Sequence, residues 1–141
     1  MALLNDKVME QVKKEFENLV GPVKLVNFTQ ELECEFCSDT RRLIEEVASL
    51  SPRLSVEVYN FQIDMDKVQA YGIDKIPATA IVGAKDFGVR FYGIPSGYEF
   101  SSLVGSILDV SLGSSGLSQA TRDALRAIRQ PVHIQVFTTP T

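Results

Sequence analysis

Cys34 and Cys37 are the two cysteines of the chain, separated by Glu35 and Phe36 in the stretch LECEFCSD, residues 32–39. A pair at this spacing leaves three readings open: electron exchange through a reversible disulfide, a share in a metal site, or mere proximity. Exchange requires one thiol that ionises readily and a second within reach to resolve a mixed disulfide. A tetrahedral zinc site requires about four ligands. The single histidine, His133, lies far along the chain in an alternating segment, so a metal would have to be shared between two chains. The N-terminal stretch MALLNDKVMEQ has no basic start followed by an apolar run, which leads to the expectation of a cytoplasmic protein. Reducing compartments keep structural cysteine pairs as thiols, so a permanent staple is disfavoured.

The flanking elements suggest how the pair is held. Val8, Val12, Phe16 and Leu19 recur at helical steps, giving a helix over residues 5–19 with Asn5 or Asp6 as its N-cap and Gly21-Pro22 as its stop. Val23 to Phe28 reads as a buried strand that feeds directly into the cysteine segment. Leu43, Ile44, Val47 and Leu50 then fall on one helical face, ended by Ser51-Pro52. Cys34 is thereby expected at a helix start and Cys37 within the first turn. Unpaired N–H groups and the positive end of the helix dipole favour a thiolate there, which assigns attack to Cys34 and resolution to Cys37. Glu33 and Glu35 act the other way, since neighbouring negative charge disfavours ionisation.

Leu54, Val56 and Val58 alternate with more polar residues and form a second strand, parallel to the first because a helix joins them. A short helix over about 64–71 ends at Gly72, residues 78–82 form a third strand, and residues 89–92 return antiparallel after the turn GAKDFG. Phe100, Leu103, Val104, Ile107 and Leu108 mark a last major helix, preceded by a turn that Tyr92, Gly93 and Pro95 shape. Met9 and Met65 are expected in the core. The order α-β-α-β-α-β-β-α defines an α/β protein with a central mixed four-stranded sheet flanked by helices.

Residues 1–112 make up this unit, and residues 113–117 form a linker around the stretch LGSSG. Beyond it, at an offset of 109 residues, QPVHIQVFTT repeats the pattern of GPVKLVNFTQ, matching Pro22 to Pro131, Val23 to Val132 and Phe28 to Phe137. The preceding helices agree, with Phe16 against Leu125 and Leu19 against Ile128. A repeat of about one domain length points to duplication, so residues 118–141 are expected to hold the helix and first strand of a partial second unit. Their apolar stripe, Leu117, Ala124, Leu125, Ile128, Val132, Ile134 and Val136, has no cover in this chain. A homodimer or an exchanged arrangement through residues 118–137 is the expectation.

Composition narrows the remaining classes. Hydrophobic residues are 45% and charged residues 23% of the 141, as in a globular domain, and no apolar run approaches the roughly 20 residues of a membrane span. With a net charge of −4 and interspersed signs there is no basic stripe for phosphates. Neither a nucleic acid nor a membrane is an expected partner.

Cys34-Glu35-Phe36-Cys37 at a strand-to-helix turn, with Ile76-Pro77 opening a later strand, resembles the thioredoxin and glutaredoxin pattern. More narrowly, IDKIPAT, KDFGVRFYGIPSGYEF and the partial repeat are similar to the glutaredoxin-like protein disulfide oxidoreductases, a tandem thioredoxin-fold family. The resemblance implies a thioredoxin-like fold with an extra N-terminal helix and a C-terminal helix-strand extension. It also implies a cis Ile76-Pro77 bond facing the cysteines, and substrate contacts by Ile76, Pro77, Glu35 and Phe36. The implied activity is thiol-disulfide exchange with protein disulfides, without metal or bound cofactor, recycled by a thioredoxin-reductase-type flavoprotein. Two alternatives remain: an electron-relay module between a flavin reductase and a peroxiredoxin-type partner, and a non-enzymatic metal-bridged or docking half-domain. Glu33 stands where thioredoxin has tryptophan, and Asn27 where it has a buried aspartate. A carboxylate assisting Cys37 would then be Glu31 or another residue.

Overall fold

The computed structural model describes residues 2–139. Helix α1 (Asp6–Glu15) begins where the Asn5 side chain accepts the Val8 N–H at 2.9 Å, and it tightens into a 3-10 turn at Phe16–Asn18. The helix expected over residues 5–19 is thus split, with Leu19 already extended. Strand β1 (Val23–Thr29) leads to α2 (Cys37–Ser49), β2 (Leu54–Asn60), α3 (Met65–Ala70), β3 (Ala78–Val82), β4 (Val89–Tyr92), α4 (Tyr98–Leu112) and α5 (Gln119–Arg126).

The four strands form one mixed sheet in the order β2-β1-β3-β4. β1 runs parallel to β2 and antiparallel to β3, and β3 runs antiparallel to β4. Position in the sheet explains the composition of β1, because a central strand covered on both faces has few polar positions. Leu25 packs with Ile44, Val47, Leu103 and Ile107 in the core beneath α1, α2 and α4. Val26 and Phe28 point the other way, into a smaller cluster with Val68 and Ile73 near α3. Asn27 shares the Leu25 face by the alternation of a strand, which brings it under α2.

One buried hydroxyl fastens the entry to β1. Ser111 on α4 accepts the Val20 and Gly21 N–H groups at 2.9 and 3.0 Å and donates to the Gly21 carbonyl at 2.7 Å. Its polar demands are met without water.

Further expectations need correction, beginning with Met9, which is only half-buried and joins neither core cluster. Met65 is half exposed rather than in the core, because it opens a six-residue helix that buries only Val68. The second-copy helix exists as α5, but no strand forms over residues 131–139. A helix closes its hydrogen bonds internally, whereas a strand needs an adjacent edge. Every residue from Leu112 to Thr139 is exposed. Residues 140 and 141 of the expected second unit lie outside the described residues. Among the described residues, no helix is long and apolar enough to cross a membrane.

Candidate redox site

The site is built at the carboxyl end of β1, between Thr29 and the first turn of α2. Glu33 takes a left-handed conformation with φ 56°, unusual for a residue with a Cβ, and turns the chain into Cys34. Residues 35 and 36 form a turn, and Phe36, with φ −103° and ψ 4°, is the N-cap. α2 therefore begins at Cys37, one turn later than the sequence pattern suggested, with Cys34 just outside it. The Phe36 carbonyl accepts both the Thr40 N–H at 2.9 Å and the Thr40 hydroxyl at 2.7 Å. The N–H groups of Cys37, Ser38 and Asp39 precede that ladder and have no intrahelical acceptor. They leave the positive end of the helix dipole at the start of α2, which follows the Cys34 segment directly in the chain.

Cys34 and Cys37 are joined in a disulfide with Cα atoms 5.5 Å apart. Their exposures differ: Cys37 is 1% exposed, while Cys34 is partly exposed. Cys34 lines a cleft of about 530 Å³ that also takes in Ser38 and Arg41 from α2, and Val58, Asn60 and Asp64 from the β2–α3 corner. The corner is internally braced. Asp64 accepts the Asn60 N–H at 2.6 Å, and Asn60 Oδ1 accepts the Gln62 and Ile63 N–H groups at 2.9 and 3.1 Å. Arg41 is paired through Nε with Glu45 at 2.9 Å. The cleft thus offers a polar approach to the outer sulfur.

The Ile76–Pro77 bond is cis. Pro77 is buried and Ile76 half-buried, and the Pro77 carbonyl accepts the Gly93 N–H at 2.8 Å. Phe28 pairs with Ala78, so Pro77 stands at the end of the sheet from which the cysteine loop departs. Glu35 and Phe36 are exposed on the turn between the cysteines. None of Ile76, Pro77, Glu35 and Phe36 lines the Cys34 cleft.

Three polar side chains, one each on β1, α2 and β3, are closed to solvent. Asn27, Thr40 and Thr79 are each 0% exposed. Asn27 Nδ2 donates to the Ala78 carbonyl at 3.2 Å and to Thr79 Oγ1 at 3.4 Å. Its Oδ1 has no partner. Glu31, expected as a possible aid to Cys37, is exposed in the loop, and no carboxylate is buried among the described residues.

Sequence reasoning missed the cleft-lining residues Ser38, Arg41, Asn60 and Asp64. A local signal existed for two of them. Asn60 and Asp64 bracket an Asx-type turn just past the carboxyl end of a parallel strand, where open α/β sheets commonly receive ligands.

A mixed four-stranded sheet, a helix starting at the inner cysteine and a cis proline at the same sheet end define a thioredoxin-type thiol-disulfide module. No family model matches the chain. Among solved structures it is similar to a protein disulfide oxidoreductase from Aeropyrum pernix, with TM-score 0.78 and 30% identity over 89% of this chain and 56% of that one. It is also similar to the NTD_N/C domain of the alkylhydroperoxide reductase AhpF from Enterococcus faecalis, with TM-score 0.80 and 26% identity over 90% of this chain and 62% of that one. Among curated proteins, an alkyl hydroperoxide reductase component of Staphylococcus aureus (strain Mu50) is 27% identical over 135 residues, covering 96% of this chain and 24% of the relative. The chain thus spans about a quarter of the length of that relative. The resemblance to tandem thioredoxin-fold proteins is borne out.

Proposed function

We propose that this chain is a thiol-disulfide oxidoreductase in which Cys34 and Cys37 alternate between disulfide and dithiol. In the dithiol form, the Cys34 thiolate attacks a protein disulfide, forming a mixed disulfide and expelling one substrate sulfur as a thiolate. Cys37 then attacks Cys34, closing the internal disulfide and releasing the second substrate sulfur, which takes the Cys37 proton. A dithiol or flavoprotein reductase of the thioredoxin-reductase type returns two electrons and two protons. No resident metal or organic cofactor takes part, and the setting is the reducing cytoplasm. The observation that carries this reading is the asymmetry of the disulfide, with a partly exposed Cys34 on a cleft and a buried Cys37 at the helix start.

The similarity to alkyl hydroperoxide reductase components favours a second reading. Here the same pair relays electrons from a flavin-dependent reductase to a peroxide-reducing partner and has little turnover with general disulfides. Turnover of insulin with dithiothreitol separates the two: brisk reduction supports the first, and reduction only through a reductase partner supports the relay. In either case Cys37→Ser is expected to accumulate mixed disulfides and Cys34→Ser to accumulate none, read by mass spectrometry. Equal trapping by both variants would refute the assignment of roles.

The exposed apolar stripe of residues 118–137 extends the proposal to a partner. In the isolated chain this stripe pairs with the same segment, or with a sheet edge, of a second copy.

A further inference from the structure

Glu31, Glu33 and Glu35 alternate through the redox loop, and all three are exposed. Between Lys24 and Arg41 the chain carries four carboxylates and no cation. The fourth carboxylate, Asp39, meets Arg42 at 3.5 Å, while Arg41 is held by Glu45 at 2.9 Å. On the cis-proline side Lys75 is held by Asp74 at 2.8 Å. Among the described residues, Glu31, Glu33 and Glu35 have no ion-pair partner. Because β2 runs parallel to β1, the β2–α3 corner lies at the same end of the sheet. It adds Asp66 and Asp64, the latter lining the Cys34 cleft together with Glu31. Exposed apolar side chains are interleaved with these charges. Leu32 is 77% exposed between Glu31 and Glu33, and Ile63 and Met65, on either side of Asp64, are 77% and 50% exposed.

In isolation such a field works against the chemistry of the pair. A neighbouring carboxylate disfavours the Cys34 thiolate, and it repels an anionic thiolate that approaches the disulfide. The start of α2 opposes this only through the partial charge of its dipole. A reaction partner with cations beside its own sulfurs turns the same carboxylates into attraction, both on approach and in the docked complex. Apolar side chains this exposed beside a reactive group fit a polypeptide surface rather than a small solute. We propose that Glu31, Glu33 and Glu35 are specificity-determining residues that select protein disulfides flanked by lysine or arginine, with Leu32 and Ile63 in apolar contact beside them. The selection acts on the first step. The Cys34 thiolate bonds to one substrate sulfur as the substrate S–S bond breaks, and the other sulfur leaves as a thiolate next to its own cation. Cys37 then displaces the bound sulfur and gives its proton to the leaving thiolate, so the substrate gains two electrons and the chain closes its disulfide. This proposal rests on the redox reading of the cysteine pair.

The test mixes the reduced chain, freed of reductant, with symmetrical peptide disulfides and follows release of the peptide thiol by chromatography. In each peptide a central cysteine is flanked on both sides by lysine, serine or glutamate, with leucine at the two ends. Every rate is divided by that of the same peptide with dithiothreitol, which removes the peptide's own reactivity. At an ionic strength of about 20 mM the lysine peptide is expected to react about tenfold faster than the glutamate peptide, with the serine peptide between them. At about 0.5 M salt the preference is expected to fall to within about twofold, because screening shortens the reach of the charges. The combined variant Glu31→Gln, Glu33→Gln, Glu35→Gln is expected to lose most of the preference at low salt. It is also expected to react faster with the serine peptide, since its thiolate is less opposed. A lysine peptide with serine in place of the end leucines is expected to react about threefold more slowly than the leucine form. Equal relative rates for the lysine and glutamate peptides with the wild-type chain at low salt, or a preference that survives the combined substitution, overturns the proposal. Equal rates for the leucine and serine forms overturn the apolar contact and with it the choice of a polypeptide. A reduced chain that releases thiol from none of the peptides refutes the redox reading itself.

Discussion

Phe28 and Phe137 occupy matched positions in two stretches of the same pattern, yet the first is 0% and the second 88% exposed. The contrast holds along the repeat. Phe16 is 3% exposed against 49% for Leu125, Leu19 is 5% against 51% for Ile128, and Val23 is 1% against 65% for Val132. The apolar types are alike, so the difference lies in what surrounds them. β1 is a strand because β2 and β3 pair with both its edges, and helices cover its faces. The matched segment after α5 has neither edge nor cover within the chain. Hydrophobic patterning sets the capacity to be buried, and neighbours decide whether it is used.

The largest effect expected from this comparison is a difference between two identical substitutions. Phe28→Ala removes a ring that packs 5.7 Å from both the Tyr59 and Tyr71 rings, and it is expected to cost about 3–5 kcal/mol. Phe137→Ala is expected to change stability by no more than about 0.5 kcal/mol at protein concentrations where the chain is monomeric. Urea denaturation of the two variants under those conditions measures both. Comparable losses there would mean that the second segment is packed within the single chain and that the contrast fails.

A smaller effect separates two ion pairs. Arg90 and Asp86 meet at 2.6 Å with side chains 15% and 35% exposed, whereas Arg126 and Asp123 on α5 meet at 3.2 Å with side chains 75% and 57% exposed. The hydrogen bond from Arg90 holds the Asp86 carboxyl below its ordinary value of 3.8, against a smaller opposing effect of burial. A depressed folded-state value means that the contribution to stability is full above the unfolded value. It is lost as pH falls through the folded one. Asp86→Asn is thus expected to destabilise at pH 7 by about 0.5 kcal/mol after solvent screening, with the gap to wild type closing as the pH falls below the ordinary carboxyl value and through the depressed folded one. Asp123→Asn is expected to have no measurable effect. Denaturation midpoints across pH check both, and a gap that persists at the acid end would remove the ionic account of Asp86.

These regions also differ in how much the sequence reveals. All elements up to Leu112 were legible, because helical steps such as Leu43, Ile44 and Val47, and strand runs such as Val23 to Phe28, are local patterns. Cys34 and Cys37 were legible for the same reason. The start of α2 was displaced because the Cys-Glu-Phe-Cys turn departs from the helix the apolar spacing implied. Met65 looked like core because periodicity does not report that a six-residue helix buries only Val68. The strand over 132–137 looked as sound as β1, but pairing is non-local and its partner was never in the pattern. The cleft was hidden for that reason as well: Ser38 and Arg41 meet Asn60 and Asp64 only when α2 packs across β1 and β2. The cis Ile76–Pro77 bond came from the family resemblance, since its local sequence permits either isomer.

Little effect on stability is expected from the largest change to the chain, removal of everything after Gly113. No residue from Gly113 to Thr139 is buried, so the deletion exposes little apolar surface that the folded unit had covered. Gly113 itself is worth keeping. It closes α4 in a left-handed conformation, with φ 70°, and its N–H donates to the Asp109 carbonyl at 2.9 Å. The shortened chain is expected to unfold within about 0.5 kcal/mol of the full one and to reduce disulfides at an unchanged rate. What should change is association. Light scattering is expected to give a dimer for the full chain, whose exposed Ile134, Val136 and Phe137 seek an edge, and a monomer for the shortened one. Hydrogen exchange over residues 131–139 sharpens the result, because pairing with a second copy would protect amides that are unpaired in the single chain. A monomeric full chain with protected tail amides refutes the association, and an unfolded shortened chain refutes the independence of the cysteine-bearing unit.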